Sequence, residues 1–214
     1  MPVSTSRSVP FIESGVAMRA LPGETVSGDM HVVKPFPNGV LLAVMDGLGH
    51  GDEATLAAKT AAATLVEHAR ESVISLLKRC HEALPRTRGV AMTLASCNSL
   101  EGTITWLGVG NVEGLLLRAD ASANPPTERV LLRGGVVGYQ LPVLHAGVLP
   151  IGPGDLLIFA TDGIRGDFGG DFSHSRPSGI ETPQQIADRL LEKWFKGTDD
   201  ALVLVVRYLG SPYG

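Results

Sequence analysis

Strand-length apolar runs in this chain begin or end on aspartates, and that pattern restricts both the fold and the chemistry. Val40-Leu41-Leu42-Ala43-Val44-Met45 runs into Asp46, and Leu156-Leu157-Ile158-Phe159-Ala160 leads through Thr161 to Asp162. Ala201-Leu202-Val203-Leu204-Val205-Val206 emerges from Asp199-Asp200, and Ser27-Gly28-Asp29 opens a further strand-like stretch. Short aliphatic runs bounded by turn residues suit buried strands. Carboxylates placed where buried strands emerge lose solvation and repel one another unless cations sit among them. A donor set made only of oxygen favours hard ions such as Mg²⁺ or Mn²⁺.

Composition narrows the classes further. The chain has 214 residues, enough for a single domain, expected over residues 11–210 behind a tail at 1–10. Apolar residues make up 44% and aromatic ones 5%, so the core should be sizeable and mostly aliphatic. A formal charge of −4 without a basic stripe argues against nucleic acid as a partner. Cys80 and Cys97 lack metal-ligand spacing and read as free, buried or half-buried thiols. No apolar stretch follows Met1–Arg7 as a secretory signal would require, and no run approaches the roughly 20 residues that span a bilayer. A cytoplasmic monomer is the expectation.

Residues 11–20, 29–36 and 39–46 read as strands, the last two joined at Pro35-Phe36-Pro37-Asn38-Gly39 in the manner of a hairpin. The prolines make a long central strand unfavourable there. From Glu53 to Arg70 the period changes: Ala54, Ala57, Ala58, Ala61, Ala62, Leu65, Val66 and Ala69 share one helical face. Asp52 and Glu53 stand at its N-terminal end, where the helix dipole favours negative charge. A second helix is predicted over 72–84, with Val73, Leu76, Leu77, Cys80 and Leu84 inward and Pro85 and Gly89 closing it. Strands are predicted at 90–97, 102–110, 112–118, 128–133, 143–148 and 155–161, with 119–127 as a solvated loop. A helix over 183–196, with Ile186, Leu190 and Leu191 inward, and a strand at 201–209 complete the chain. Strands in consecutive runs point to antiparallel pairing. The order fits an α+β fold, an αββα sandwich of two antiparallel β-sheets flanked by helices. The segment 165–181, rich in Gly, Ser, Asp and His, has the length of a functional loop.

Four segments together carry a family resemblance. Gly23-Glu24-Thr25-Val26-Ser27-Gly28-Asp29, Met45-Asp46-Gly47-Leu48-Gly49-His50-Gly51, Thr161-Asp162-Gly163-Ile164 and Asp199-Asp200-Ala201-Leu202-Val203-Leu204-Val205 resemble the PPM family of metal-dependent serine/threonine protein phosphatases. The similarity is to its bacterial branch of sporulation and general-stress-response phosphatases. It covers residues 11–209. Asp-Gly after a strand is by itself a common turn, so the joint order of the segments carries the likeness. Without room for an input domain ahead of the first strand, the chain looks most like a stand-alone stressosome feedback phosphatase. That implies a phosphorylated stressosome protein with a sulfate-transporter/anti-sigma-antagonist (STAS) domain as partner and substrate.

The resemblance implies two Mn²⁺ or Mg²⁺ ions about 3.5–4 Å apart, bridged by an aspartate and by a hydroxide that attacks phosphorus in line. Asp46 matches the bridging carboxylate and the Gly47 carbonyl a second ligand of one ion. Asp162 and Asp199 match the carboxylates on the other, and Asp29 matches a position that holds metal-bound waters. Asp200 would exchange with Asp199 on a one-residue shift. Asp46, Asp29, Asp162 and Asp199 are thereby the catalytic candidates. His50 either acts as a general acid or caps the helix that follows; Arg165 either meets phosphate or forms a surface salt bridge. The segment 165–181 lies where relatives insert a flap and is expected to help choose the phosphoprotein. Two other readings are an inactive binding protein of the same fold and a hydrolase of small phosphate esters. The full carboxylate set speaks against the first, and the lack of a phosphate-cradling Gly-rich loop or an Asp-x-Asp motif against the second.

Overall fold

Alternation along the strands sorts the apolar side chains between two faces of each sheet, and this produces four layers. The computed structural model describes residues 11–49, 51–166, 168–170, 172, 177 and 180–210. In chain order the elements are β1 (Ile12–Arg19), β2 (Asp29–Phe36), β3 (Gly39–Gly47), α1 (Asp52–Glu67), α2 (Val73–Ala83), β4 (Val90–Asn98), β5 (Thr103–Val109) and β6 (Glu113–Leu117). There follow β7 (Thr127–Arg129), β8 (Leu132–Arg133), β9 (Gly147–Pro150), β10 (Leu156–Ala160), α3 (Pro183–Trp194) and β11 (Ala201–Tyr208). One sheet has the order β1-β11-β10-β6-β7 and the other β2-β3-β4-β5-β8, with β9 also pairing to β5.

Val40, Leu42 and Val44 of β3 meet Leu157, Phe159, Leu202, Leu204 and Val206 between the sheets. The alternate residues Leu41, Ala43 and Met45 face α1 and α2, while Ile158, Val203 and Val205 face α3. The expected αββα sandwich is therefore the fold, and all pairings but one are antiparallel. The alanine face of α1 lets the helix backbone approach closely. A Cβ on Gly47 would lie 2.1 Å from the Ala54 carbonyl oxygen, so the turn after β3 and the first turn of α1 leave room for glycine alone. Cys80 and Cys97 are free and buried, and burial pushes both thiols up to about 12. No helix among the described residues is long and apolar enough to cross a membrane.

Three expectations change. The strand predicted at 128–133 is two: β7 pairs with β6, the chain crosses between the sheets at buried Val130, and β8 then runs parallel to β5. The strand predicted at 143–148 lies instead at Gly147–Pro150, because Leu144 and Ala146 are drawn against the helix-side core. Val66, predicted on the buried face of α1, is 42% exposed and lines a groove beside β2. In the loop after β10, Phe168 and Phe172 are buried against α3, and the Arg129 guanidinium stands over the Phe168 ring.

At the end of the sandwich where β10 begins, charge is buried in pairs. Arg118 bonds Glu128, Asp155 Oδ2 at 3.2 Å and the Pro150 carbonyl at 2.7 Å. Asp155 also accepts from the backbone amides of Ala119 at 2.7 Å and Gly152 at 3.0 Å.

Candidate metal centre

The aspartates gather at the opposite end. Asp29 and Asp46 are register partners where β2 starts and β3 finishes; Asp162 follows β10, and Asp199-Asp200 precede β11. Antiparallel pairing of β10 with β11 places those two segments side by side. Thr161 ties the sheets together, its Oγ1 donating to Asp29 Oδ2 at 2.7 Å and accepting from Leu202 N at 2.8 Å.

A cavity of about 290 Å³ opens there, lined by Leu21, Asp46, Leu48, Gly49, Asn111, Asp162, Thr198 and Asp199. Asp46, Asp162 and Asp199 thus face a common space, while Asp29 and Asp200 are buried behind it. Asp200 is fully engaged: Oδ1 accepts from Leu21 N at 2.7 Å and Oδ2 from Gly28 N at 2.6 Å. That second bond has a consequence for the ladder. Gly47 N donates to Gly28 O at 3.1 Å, but the Gly28 amide donates to Asp200 and not back to Gly47. The Gly47 carbonyl is left without a donor among the described residues.

The electrostatics show a site short of positive charge. Burial, then the Asp46 charge, pushes Asp29 up to about 8, against the pull of the Thr161 hydrogen bond. Burial, then Asp162, Asp199 and Asp200, pushes Asp46 up to about 7. Asp162 is raised by burial and Asp199, and held back by Lys196 and by Asn111, whose amide donates to Asp162 Oδ2 at 2.7 Å. Asp29 Oδ1 is buried with no hydrogen-bond partner. An orphaned carboxylate oxygen, an unpaired carbonyl and mutually repelling carboxylates are what hard divalent cations would satisfy, so these residues fit them. The carboxylates face the cavity without converging on one point, and no ready-made cage of three such side chains exists among the described residues.

Asn111, Thr161 and Lys196 were not singled out from the sequence as site residues. Asn111 sits in the turn from β5 to β6, and only the pairing of β6 with β10 brings it to Asp162. Lys196 donates from its amide to Gly163 O at 2.9 Å and from Nζ to the Asp162 carbonyl, bracing the Asp-Gly turn. Among the described residues Arg165 makes no salt bridge. It donates to the Lys193 carbonyl at 2.7 Å and stands over the Trp194 ring at 5.1 Å, an aromatic face and a helix end that both favour a cation. Arg19 stands likewise over Phe195 at 5.0 Å. His50 lies outside the described residues.

Comparison with known proteins agrees with the fold. The model of the family "Stage II sporulation protein E (SpoIIE)" matches residues 37–209. The phosphoserine phosphatase RsbX of Bacillus subtilis (strain 168) is 30% identical over 94 residues, which cover 44% of this chain and 47% of that protein's length. A structure described under the bacterial stressosome, "a modular system that has been adapted to control secondary messenger signaling", superposes with a TM-score of 0.82 at 29% identity. It covers 92% of this chain and 99% of that one. RsbX in complex with magnesium superposes with a TM-score of 0.83 at 21% identity, over 96% of this chain and 100% of the other, a likeness of fold. The chain belongs to the SpoIIE family of phosphatase-type domains.

Proposed function

We propose that the chain is a divalent-metal-dependent phosphatase acting on phosphoserine or phosphothreonine of a regulatory protein, and that this protein carries a STAS domain in a stressosome. The observation that carries the reading is the cavity onto which Asp46, Asp162 and Asp199 open, backed by the orphaned Asp29 oxygen. Family membership and the likeness to RsbX support the phosphatase, and the structure described under the stressosome supports the choice of partner.

In this reading Asp46, Asp162, Asp199 and the Gly47 carbonyl would hold two Mg²⁺ or Mn²⁺ ions. When bound, the ions would neutralise the phosphoryl oxygens and supply a hydroxide nucleophile near neutral pH. The protein's own work is positioning. Asp200, its oxygens held by Leu21 and Gly28, fixes the loop ahead of β2 against β11 and so sets where Asp29 and Asp199 stand. Thr161 holds Asp29, leaving its other oxygen as an acceptor at the back of the cavity. Asn111 lines the cavity and donates to Asp162 Oδ2, which orients that carboxylate.

The test is Mn²⁺- or Mg²⁺-dependent phosphate release from a phosphorylated STAS-domain protein, comparing wild type with Asp46→Asn. Loss beyond about a hundredfold is expected, since residues behind a metal's ligands alone cost about 10–100-fold. Turnover of an aryl phosphate but of no STAS-domain substrate would keep the enzyme and discard the partner. Release that ignores both metal and Asp46 would overturn the reading.

A further inference from the structure

A second concavity lies on the flank of the sandwich, where the terminal strands of the two sheets face each other beside α1. It encloses about 560 Å³, and its lining includes Ser14 and Val16 of β1, Val33 and Lys34 of β2, and Lys59 and Val66 of α1. Among the described residues β1 ends one sheet and β2 the other, so each has a side with no neighbouring strand.

The ladders fix which backbone groups point outward. The β2–β3 hairpin closes on Phe36 and Gly39, and Gly47 N bonds Gly28 O, so even-numbered residues of β2 bond β3 and odd-numbered ones face out. Pro35, with no N–H to offer, occupies an outward position, as edge prolines do. On β1, Leu209 N donates to Phe11 O, so odd-numbered residues bond β11 while Ser14 and Val16 face out. Val16 is already satisfied: the Gln184 side-chain amide accepts from its N–H at 3.0 Å and donates to its carbonyl at 2.8 Å. The fold thus closes one edge with a side chain that imitates a strand. The neighbouring edge stays open at Val33, whose outward N–H and carbonyl have no partner among the described residues.

Charge and position identify what would pair there. Among the described residues the groove contains Lys34 and Lys59 and no aspartate or glutamate, in a chain of formal charge −4. Pairing β2 with β2 of a second copy would bring these lysines together, which like-charge repulsion disfavours. An acidic strand would be complementary in both backbone and charge. Asp29 of the metal centre is the first residue of β2, so Val33 lies about 13 Å further along the strand.

We propose that the open edge of β2 docks an extended acidic segment of the phosphoprotein substrate, which adds to the sheet as a strand roughly four to six residues from the phosphorylated side chain. The identity of the occupant as substrate rests on the phosphatase reading above. The test uses two phosphoserine peptides of equal length, one with glutamates at that distance and one with glutamines. Binding to the Mg²⁺-loaded protein is read by fluorescence anisotropy, and hydrolysis alongside it. Wild type should bind the glutamate peptide about tenfold more tightly, and Lys34→Glu with Lys59→Glu should abolish or reverse that preference, with aryl phosphate turnover unchanged. N-methylation of alternate amides in the glutamate peptide should weaken binding in one of the two alternations only. Equal binding of both peptides by wild type, or a preference that survives the double variant, overturns the proposal. Preferential binding without phosphate release would keep the dock and sink the phosphatase. Aryl phosphate turnover without preference would do the reverse.

Discussion

The two ends of β10 and β11 both bury charge, and they neutralise it differently. Where β10 starts, Arg118 lies between Glu128 and Asp155, and backbone amides fill the remaining Asp155 acceptors. Where it finishes, Asp29, Asp46, Asp162 and Asp199 gather, and among the described residues the lysine beside them, Lys196, bonds a carbonyl. The first cluster carries its own cation and holds the fold together. The second leaves its positive charge to come from outside, which is the arrangement a binding centre needs.

The comparison is most sharply tested by removing the built-in cation. Arg118→Ala should cost about 3–5 kcal/mol in urea unfolding, because Asp155 and Glu128 would stay largely buried without their countercharge. The folded variant should still turn over an aryl phosphate with Mg²⁺; parallel loss of both properties would break the distinction between the ends. Removing a carboxylate from the other end should act in the opposite direction. Asp46→Asn is expected to stabilise the metal-free protein while abolishing metal-dependent turnover, read as a rise in Tm in EDTA.

The next effect is a pH dependence peculiar to the metal-free state. Asp29 at about 8 and Asp46 at about 7 stand above the unfolded carboxylate value of about 4. Between those limits the folded chain holds more protons than the unfolded one, so this contribution is full below about pH 4 and is lost as pH rises through 7 and 8. In EDTA, Tm should therefore be lower at about pH 9 than at about pH 6, and saturating Mg²⁺ should remove most of the gap. A gap that Mg²⁺ leaves intact would locate the titration elsewhere. The smallest expected change is Thr161→Val, which removes the hydroxyl between Asp29 and Leu202 at a cost of about 1–2 kcal/mol by denaturant titration. It should also weaken Mg²⁺ binding measured calorimetrically.

The parts of this arrangement visible in the sequence are those written locally. An apolar run ending in Asp46-Gly47 states both a strand and what stands at its end, and the alanines after it state a helix that must come close. What the sequence hides depends on pairing between distant segments. Adjacent Asp199 and Asp200 are equivalent on paper, and only the amides of Leu21 and Gly28, far away in the chain, turn Asp200 inward. Asn111 has no local signature and reaches Asp162 through the register of β6 with β10. The crossing at Val130 is equally hidden, because a continuous strand-like stretch does not say that its halves belong to different sheets.

The buried cysteines bear on how the protein meets oxidants. A thiol raised to about 12 holds almost no thiolate at neutral pH, and the thiolate is the form that peroxides and disulfides attack. Cys80 and Cys97 are the only cysteines in the chain, so oxidants find no reactive thiol by which to switch it. A redox challenge would pass these cysteines by.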